Sequence, residues 1–244
     1  MERKYLKEGY ALNNNIRYRL KFSKLFRMRF IGHLDLLSLF QRCIKRTELP
    51  IAYSQGFHPH QIMSFALPLS LGMGSVGEYV DIELEKEVDP SEILSRFNEI
   101  SPDDFKILDI RKLMQGEKNA ASIVEAGIYE VTLPQDSLIT GIEVEEMLSQ
   151  NEIKVIKKSK KKEVEADIRK HIYEAFFTIS EDNKKIIEFL ISSGSKENLK
   201  PEVVINYLYE KVGQVNNPYK VYYLRKDLLK KQSDSFKSIM EMSD

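Results

Sequence analysis

Three of the four histidines fall early in the chain: His33, then His58 and His60 within Gly56-Phe57-His58-Pro59-His60. In an extended segment, residues two apart share a face, so His58 and His60 are the candidates for chelating a divalent metal. Gly56 and Pro59 instead point to a loop, and no third ligand stands at a metal-like spacing, so no metal is expected. Hydrogen bonding within the fold and contact with RNA or another substrate remain open for these histidines. The preceding residues, Tyr53-Ser54-Gln55-Gly56-Phe57-His58, combine side chains that hydrogen-bond with side chains that stack, which suits either a binding loop or a turn held by its own Ser and Gln. Asp35 and Asp167 are the carboxylates that an acid-base or nucleophilic reaction would use. Asp35 lies two residues after His33, where it would cap a helix or orient the imidazole, and Asp167 is followed by Ile168-Arg169, an acid and a guanidinium two residues apart. Cys43 is the only cysteine, which excludes disulfide frameworks, zinc ribbons and any cluster held by several thiolates of this chain.

Gly72-Met73-Gly74-Ser75-Val76-Gly77 has the spacing of a dinucleotide-binding turn, but that turn needs a helix N-terminus after it to meet the pyrophosphate. Here alternation from Val76 to Glu85 predicts a strand, so the glycines read as a flexible hairpin connection and no cofactor is expected.

The 244 residues carry 37 Lys plus Arg and 37 Asp plus Glu, so function classes that need a strongly charged chain are excluded, although local patches are not. Met1 to Arg29 holds nine bases and two acids, Lys154 to Lys170 eight bases and three acids, and Glu78 to Asp109 eleven acids and three bases. Such asymmetry can give a neutral protein one cationic face for phosphates, with interleaved Tyr and Phe for stacking; the alternative is ordinary solvated strand faces. No apolar run reaches the roughly 18 residues of a membrane span, and the N-terminus lacks a secretory core, so a cytoplasmic, membrane-free protein is expected.

Residues 1–15 read as a flexible arm. Ile16, Tyr18, Leu20 and Phe22 alternate with Arg17, Arg19, Lys21 and Ser23, which predicts a strand with one buried and one basic face. His33 to Thr47 is a helix with Leu36, Leu37, Phe40, Cys43 and Ile44 inward, stopped by Pro50. Strands over Gln61–Leu69 and Val76–Glu85, a helix opened by Asp89-Pro90 and carrying Phe97 and Ile100, and a strand over Phe105–Ile110 complete a split βαβ, or ferredoxin-like, unit over residues 16–114. After a linker at 115–126 the pattern returns over 127–229: strand Ile128–Leu133, helix Thr140–Gln150, strands from Ile153, over Val164–Ile179 (broken near His171) and over Lys185–Ser192, helix from Pro201 to Gly213, and strand Val221–Leu224. That is one strand too many for a copy. The expected fold is α+β, tandem ferredoxin-like units with antiparallel sheets, followed by a polar tail at 230–244.

Several runs are shared with a known family: Phe30-Ile31-Gly32-His33-Leu34-Asp35-Leu36, Leu49-Pro50-Ile51-Ala52-Tyr53-Ser54-Gln55-Gly56-Phe57-His58-Pro59-His60, Ser64-Phe65-Ala66-Leu67-Pro68-Leu69, Gly77-Glu78-Tyr79-Val80-Asp81, and later Asp167-Ile168-Arg169 and Pro201-Glu202-Val203. They resemble the radical-SAM-linked protein family, a bacterial domain of unknown function, from Ile16 to about Leu228. His58 and Gln61 depart from the family pattern. The resemblance implies a partnership with a radical S-adenosylmethionine protein, in neighbourhoods of RNA-processing and ribosomal genes. It supplies no reaction.

The expectation that follows is a non-catalytic accessory module presenting tRNA or rRNA to a radical-SAM partner, with the cluster chemistry in the partner. Its contacts would come from His33, Asp35, Tyr53, Gln55 and His60, where the resemblance is densest, from the strand face Arg17, Arg19, Lys21, from Arg169 and from the Lys157 to Lys162 run. The rivals are an RNA-modifying enzyme similar to pseudouridine synthases, using Asp35 or Asp167, and a protein-interaction domain without RNA.

Overall fold

The computed structural model describes residues 15–158 and 163–241. The expected 1–15 arm lies outside them apart from Asn15, and so do residues 159–162 of the Lys157 to Lys162 run and the last residues of the tail. No helix among the described residues is long and apolar enough to cross a membrane.

The first unit runs β1 (Ile16–Lys24), α1 (His33–Arg46), β2 (Met63–Phe65), β3 (Gly74–Leu84), α2 (Pro90–Ile100) and β4 (Ile107–Lys112). β1 lies between β4 and β3, antiparallel to both, and β2 pairs with β3 through Met63↔Ile82, so the strand order is β4-β1-β3-β2, that of a ferredoxin-like sheet. The sequence dictates the helices: Pro90 sits in the first turn of α2 while the Asp89 side chain accepts from Ser91 N–H at 2.8 Å. Both helices cover one face, where Phe40 meets the rings of Phe22, Phe65, Phe97 and Phe105 at centroid distances of 5.7, 5.7, 4.9 and 5.8 Å. Phe40 and Phe97 are fully buried, Ile100 packs against this core, and on α1 Leu36 is buried while Leu37 is only half-buried.

A short helix, α3 (Ala120–Ile123), leads into the second unit: β5 (Ala126–Leu133), α4 (Gly141–Ser149), β6 (Lys154–Lys158), β7 (Glu163–Asp167), β8 (Ile172–Ile179), β9 (Lys185–Ser192), α5 (Pro201–Lys211), β10 (Tyr222–Gln232) and β11 (Ser235–Ser238). The order β10-β5-β9-β8 repeats the first unit's topology. The strand too many is explained by β6 and β7, which pair only with each other as a hairpin inserted between α4 and β8. A 3-10 turn, Arg169–His171, separates β7 from β8. Thr140 and Glu143 form the capping box that opens α4.

Three readings of the sequence are corrected. The two units do not form two separate sheets: β10 pairs with β3 in parallel, Leu224↔Gly74 and Arg225↔Ser75, making one nine-stranded sheet. Gly74 and Gly77 belong to β3 and not to the connection before it. The expected tail continues β10 and returns as β11, and Ile239 is fully buried against Tyr79, Ala120, Val124 and Leu228. That small core covers the sheet face opposite α1, so the expected linker is packed at Ala120, and β1 is covered on both faces.

Candidate functional site

After α1 the chain turns at Thr47 and meets β3 through an isolated bridge, Ile51↔Leu84. Tyr53 then bridges Gln61 across a closed loop. Ser54 holds this loop: its N–H donates to the His60 carbonyl at 2.8 Å, its Oγ accepts from His60 N–H at 3.1 Å, and the same Oγ lies 2.8 Å from His60 Nδ1. Gly56 supplies the φ of +121° that the tip requires, in open space. The result is a rigid base with an exposed tip, on which Phe57 is wholly in solvent beside His58, Gln55 and Pro59. Ser and His hold the turn. Gln55 does not.

The base of the loop packs along the C-terminal half of α1 and leaves an open cleft of about 380 Å³. Gln41, Arg42 and Lys45 line it from the helix, and Tyr53, His60 and Gln61 from the loop; no carboxylate is among the lining residues. Arg42 and Lys45 are exposed, since α1 turns its apolar stripe, Leu36, Phe40, Cys43 and Ile44, to the core. The Gln61 amide donates to the Gln41 carbonyl at 3.4 Å, which fixes its orientation, while Oε1 is buried without a partner. The arrangement therefore offers two exposed cations, an aromatic ring and an imidazole around one opening. That set can bind phosphate and stack a base.

The other expected site residues are not brought here. His33 begins α1, packs its ring on Phe65 at 5.5 Å and lines a separate crevice with Leu36 and Glu78. Asp35 stands exposed in the first turn; Gly32 is the N-cap and carries no side-chain cap. The convergence of His33 and Asp35 with Tyr53 and His60 is thus corrected, because the loop closes on itself and stays at the far end of the helix. Asp167 Oδ1 accepts from Ile153 N–H at 2.9 Å and Arg169 N–H at 3.0 Å, closing the base of the β6–β7 hairpin. Those backbone donors, Ile153 first, hold its carboxyl below the usual aspartate range. Arg169 spends its guanidinium on the carbonyls of Leu148, Gln150 and Ile172.

The basic strand face is also corrected. Arg19 is 0% exposed and grips both oxygens of Asp81, Nε–Oδ1 at 2.8 Å and Nη2–Oδ2 at 3.0 Å, while donating to the carbonyls of Ile239 and Lys118. Arg17 lies 3.8 Å from the same Asp81, and Lys21 3.2 Å from Asp227. These cations are neutralised inside the fold. Sequence reasoning missed Arg42 and Lys45, which read as an ordinary solvated helix face, and Phe26-Arg27-Met28-Arg29-Phe30, which lies in a stretch without a period. The alternation of two rings with two guanidiniums was the available signal.

Over residues 17–201 the chain matches the family described as "Uncharacterized protein conserved in bacteria (DUF2344)". No curated protein matches it. Among solved structures, one titled "Crystal structure of putative glycine cleavage system transcriptional repressor" shares 9% sequence identity with a TM-score of 0.23, over 87% of this chain and 99% of that one.

Proposed function

Because the chain belongs to DUF2344, a family of proteins conserved in bacteria, its function has to be argued from its own surface, and we propose that it is a non-catalytic RNA-binding module that presents tRNA or rRNA to a radical-SAM partner. The observation that carries the reading is the cleft beside α1, where Arg42 and Lys45 meet Tyr53 and His60 with no carboxylate among the lining residues. Phosphate contacts from flexible cations give affinity, and a ring beside them gives a base somewhere to stack. The partner comes from the family resemblance. It agrees with the cysteine content: the one thiol of these 244 residues, Cys43, is buried in the helix core, and burial pushes its pKa up, so these residues do not supply the thiolates of an iron-sulfur cluster.

The test is fluorescence anisotropy with labelled RNA at low salt. Wild type should bind, and Arg42→Glu/Lys45→Glu should weaken binding about ten-fold or more while thermal unfolding stays unchanged, since both side chains are exposed. No binding by wild type, or equal binding by the reversed variant, overturns the proposal.

A further inference from the structure

We infer that the bound RNA is single-stranded and runs along α1 between two stacking stations, the cleft at Tyr53 and the turn Phe26–Phe30. This rests on the RNA-binding reading above and adds the state of the strand to it.

The turn is one 3-10 helix between β1 and α1. It holds Phe26 72% and Phe30 58% exposed, with the Arg27 side chain 98% exposed. Phe26 has φ +41°, a conformation that bulky residues avoid, so the backbone is strained where a ring is turned into solvent. Arg29 lies with its guanidinium 4.6 Å from the Phe30 ring and 5.2 Å from the Tyr222 ring. Asp104 stands beside the turn: its Oδ2 accepts from Arg27 N–H at 3.3 Å and lies 4.0 Å from Arg27 Nε, an ion pair at the surface. From this turn the exposed stripe Leu34, Ser38, Arg42, Lys45 leads along α1, over roughly 17 Å at 1.5 Å per residue, to the Tyr53 cleft with Phe57 at its loop tip. Asp35 is the only carboxylate on that helix.

Rings at both ends of a cationic stripe favour unpaired bases. A duplex keeps its base faces stacked inside and shows a binder mainly phosphates and 2′-hydroxyls, so exposed phenylalanines gain nothing from it. A single strand can lay a base on Phe26 or Phe30, pass its phosphates along Arg42 and Lys45, and lay another on Tyr53. The charge also fits: Arg27, Arg29, Arg42 and Lys45 outnumber Asp35 and Asp104.

The experiment compares a labelled single strand of about twelve nucleotides, the same strand annealed to its complement, and a strand of about four. Wild type should prefer the long single strand over the duplex by about ten-fold or more. Phe26→Asn/Phe30→Ala should weaken the long strand about ten-fold and the short one much less, because asparagine tolerates the positive φ and the fold is kept. Phe26→Tyr/Phe30→Tyr, which keeps the rings, should retain affinity. Equal affinity for duplex and single strand, or wild-type binding of the long strand by the ring-removed variant, overturns this inference and leaves the RNA-binding reading standing if Arg42→Glu/Lys45→Glu still weakens binding. Wild type that binds no RNA, whether or not it self-associates through these rings, overturns both.

Discussion

Arg225 and Glu78, 147 residues apart, form a buried ion pair across the seam between β10 and β3, with Nε–Oε1 at 2.8 Å and Nη2 at 2.6 Å from each carboxylate oxygen. Arg225 also donates to the Leu67 carbonyl at 2.8 Å, so one side chain ties both units to the segment that precedes β3. Lys24 is buried beside the pair, and its pKa is lowered, first by burial and then by Arg225, against the pull of Glu78. Removing Glu78 strands a guanidinium out of water. Glu78→Ala should therefore cost about 3–5 kcal/mol, read by urea denaturation, whereas Arg225→Met/Glu78→Leu should cost clearly less. A Glu78→Ala loss below about 1 kcal/mol would mean the pair is not buried as described.

At the same seam, a Cβ on Gly77 would lie 2.5 Å from the Asp227 Cα and 2.5 Å from the Lys226 carbonyl oxygen, both backbone atoms. On Gly74 the nearest atom is the hydroxyl of Tyr222, at the end of a side chain that can turn away. Gly77→Ala should thus lower Tm much more than Gly74→Ala, because only the former forces the strands apart. Equal effects would point to a seam that yields.

Those glycines show where sequence reading stopped. Their spacing and the strand after them were visible, but the reason for glycine is the close approach of β10, some 150 residues later, which no local pattern records. β1 teaches the same lesson. Its alternation placed Arg17, Arg19 and Lys21 on one face correctly, yet a period of two does not say whether that face meets water. The residues that cover it, Lys118 and Ile239, lie 99 and 220 positions away. Helices with caps in sequence, such as the Asp89-Pro90 start and the Thr140–Glu143 box, were legible because their determinants are local. Of the site, Tyr53 and His60 were legible from residue type, while Arg42 and Lys45 became visible only once the loop was seen to fold against α1.

Acid should loosen the sheet face opposite α1 in a definable window. The Glu117 carboxylate is held below its ordinary value of 4.5, chiefly by the hydrogen bonds from Arg111. A carboxylate with a depressed folded pKa contributes its full stability above 4.5 and loses it as pH falls through the folded value. Glu117→Gln should therefore be less stable than wild type at neutral pH, with the gap narrowing below pH 4.5. A gap that stays constant down the acid limb would show that the ion pair is not its source.

Arg19 is expected to report on stability alone. Lysine cannot reproduce two bonds to Asp81 together with bonds to the Ile239 and Lys118 carbonyls, because it has a single point of charge. Arg19→Lys should lower the unfolding free energy by roughly 2–4 kcal/mol and leave the RNA affinity of the folded fraction unchanged. A loss of affinity without a loss of stability would return the β1 face to the binding surface.

Salt dependence measures how many phosphates the α1 surface engages. If Arg27, Arg29, Arg42 and Lys45 each neutralise one, log K against log salt for a single strand should fall with a slope of about −3, from about 0.7 per phosphate. Arg42→Gln/Lys45→Gln removes two of the four and should bring the slope to about −1.4, with Tm unchanged because neither side chain is buried. Phe26→Asn/Phe30→Ala should do the opposite, weakening binding at every salt concentration while keeping the slope, because stacking releases no counterions. A slope unaltered by the glutamine pair would place the phosphates on other cations, and a slope near zero in wild type would remove phosphate contact from the account of this surface.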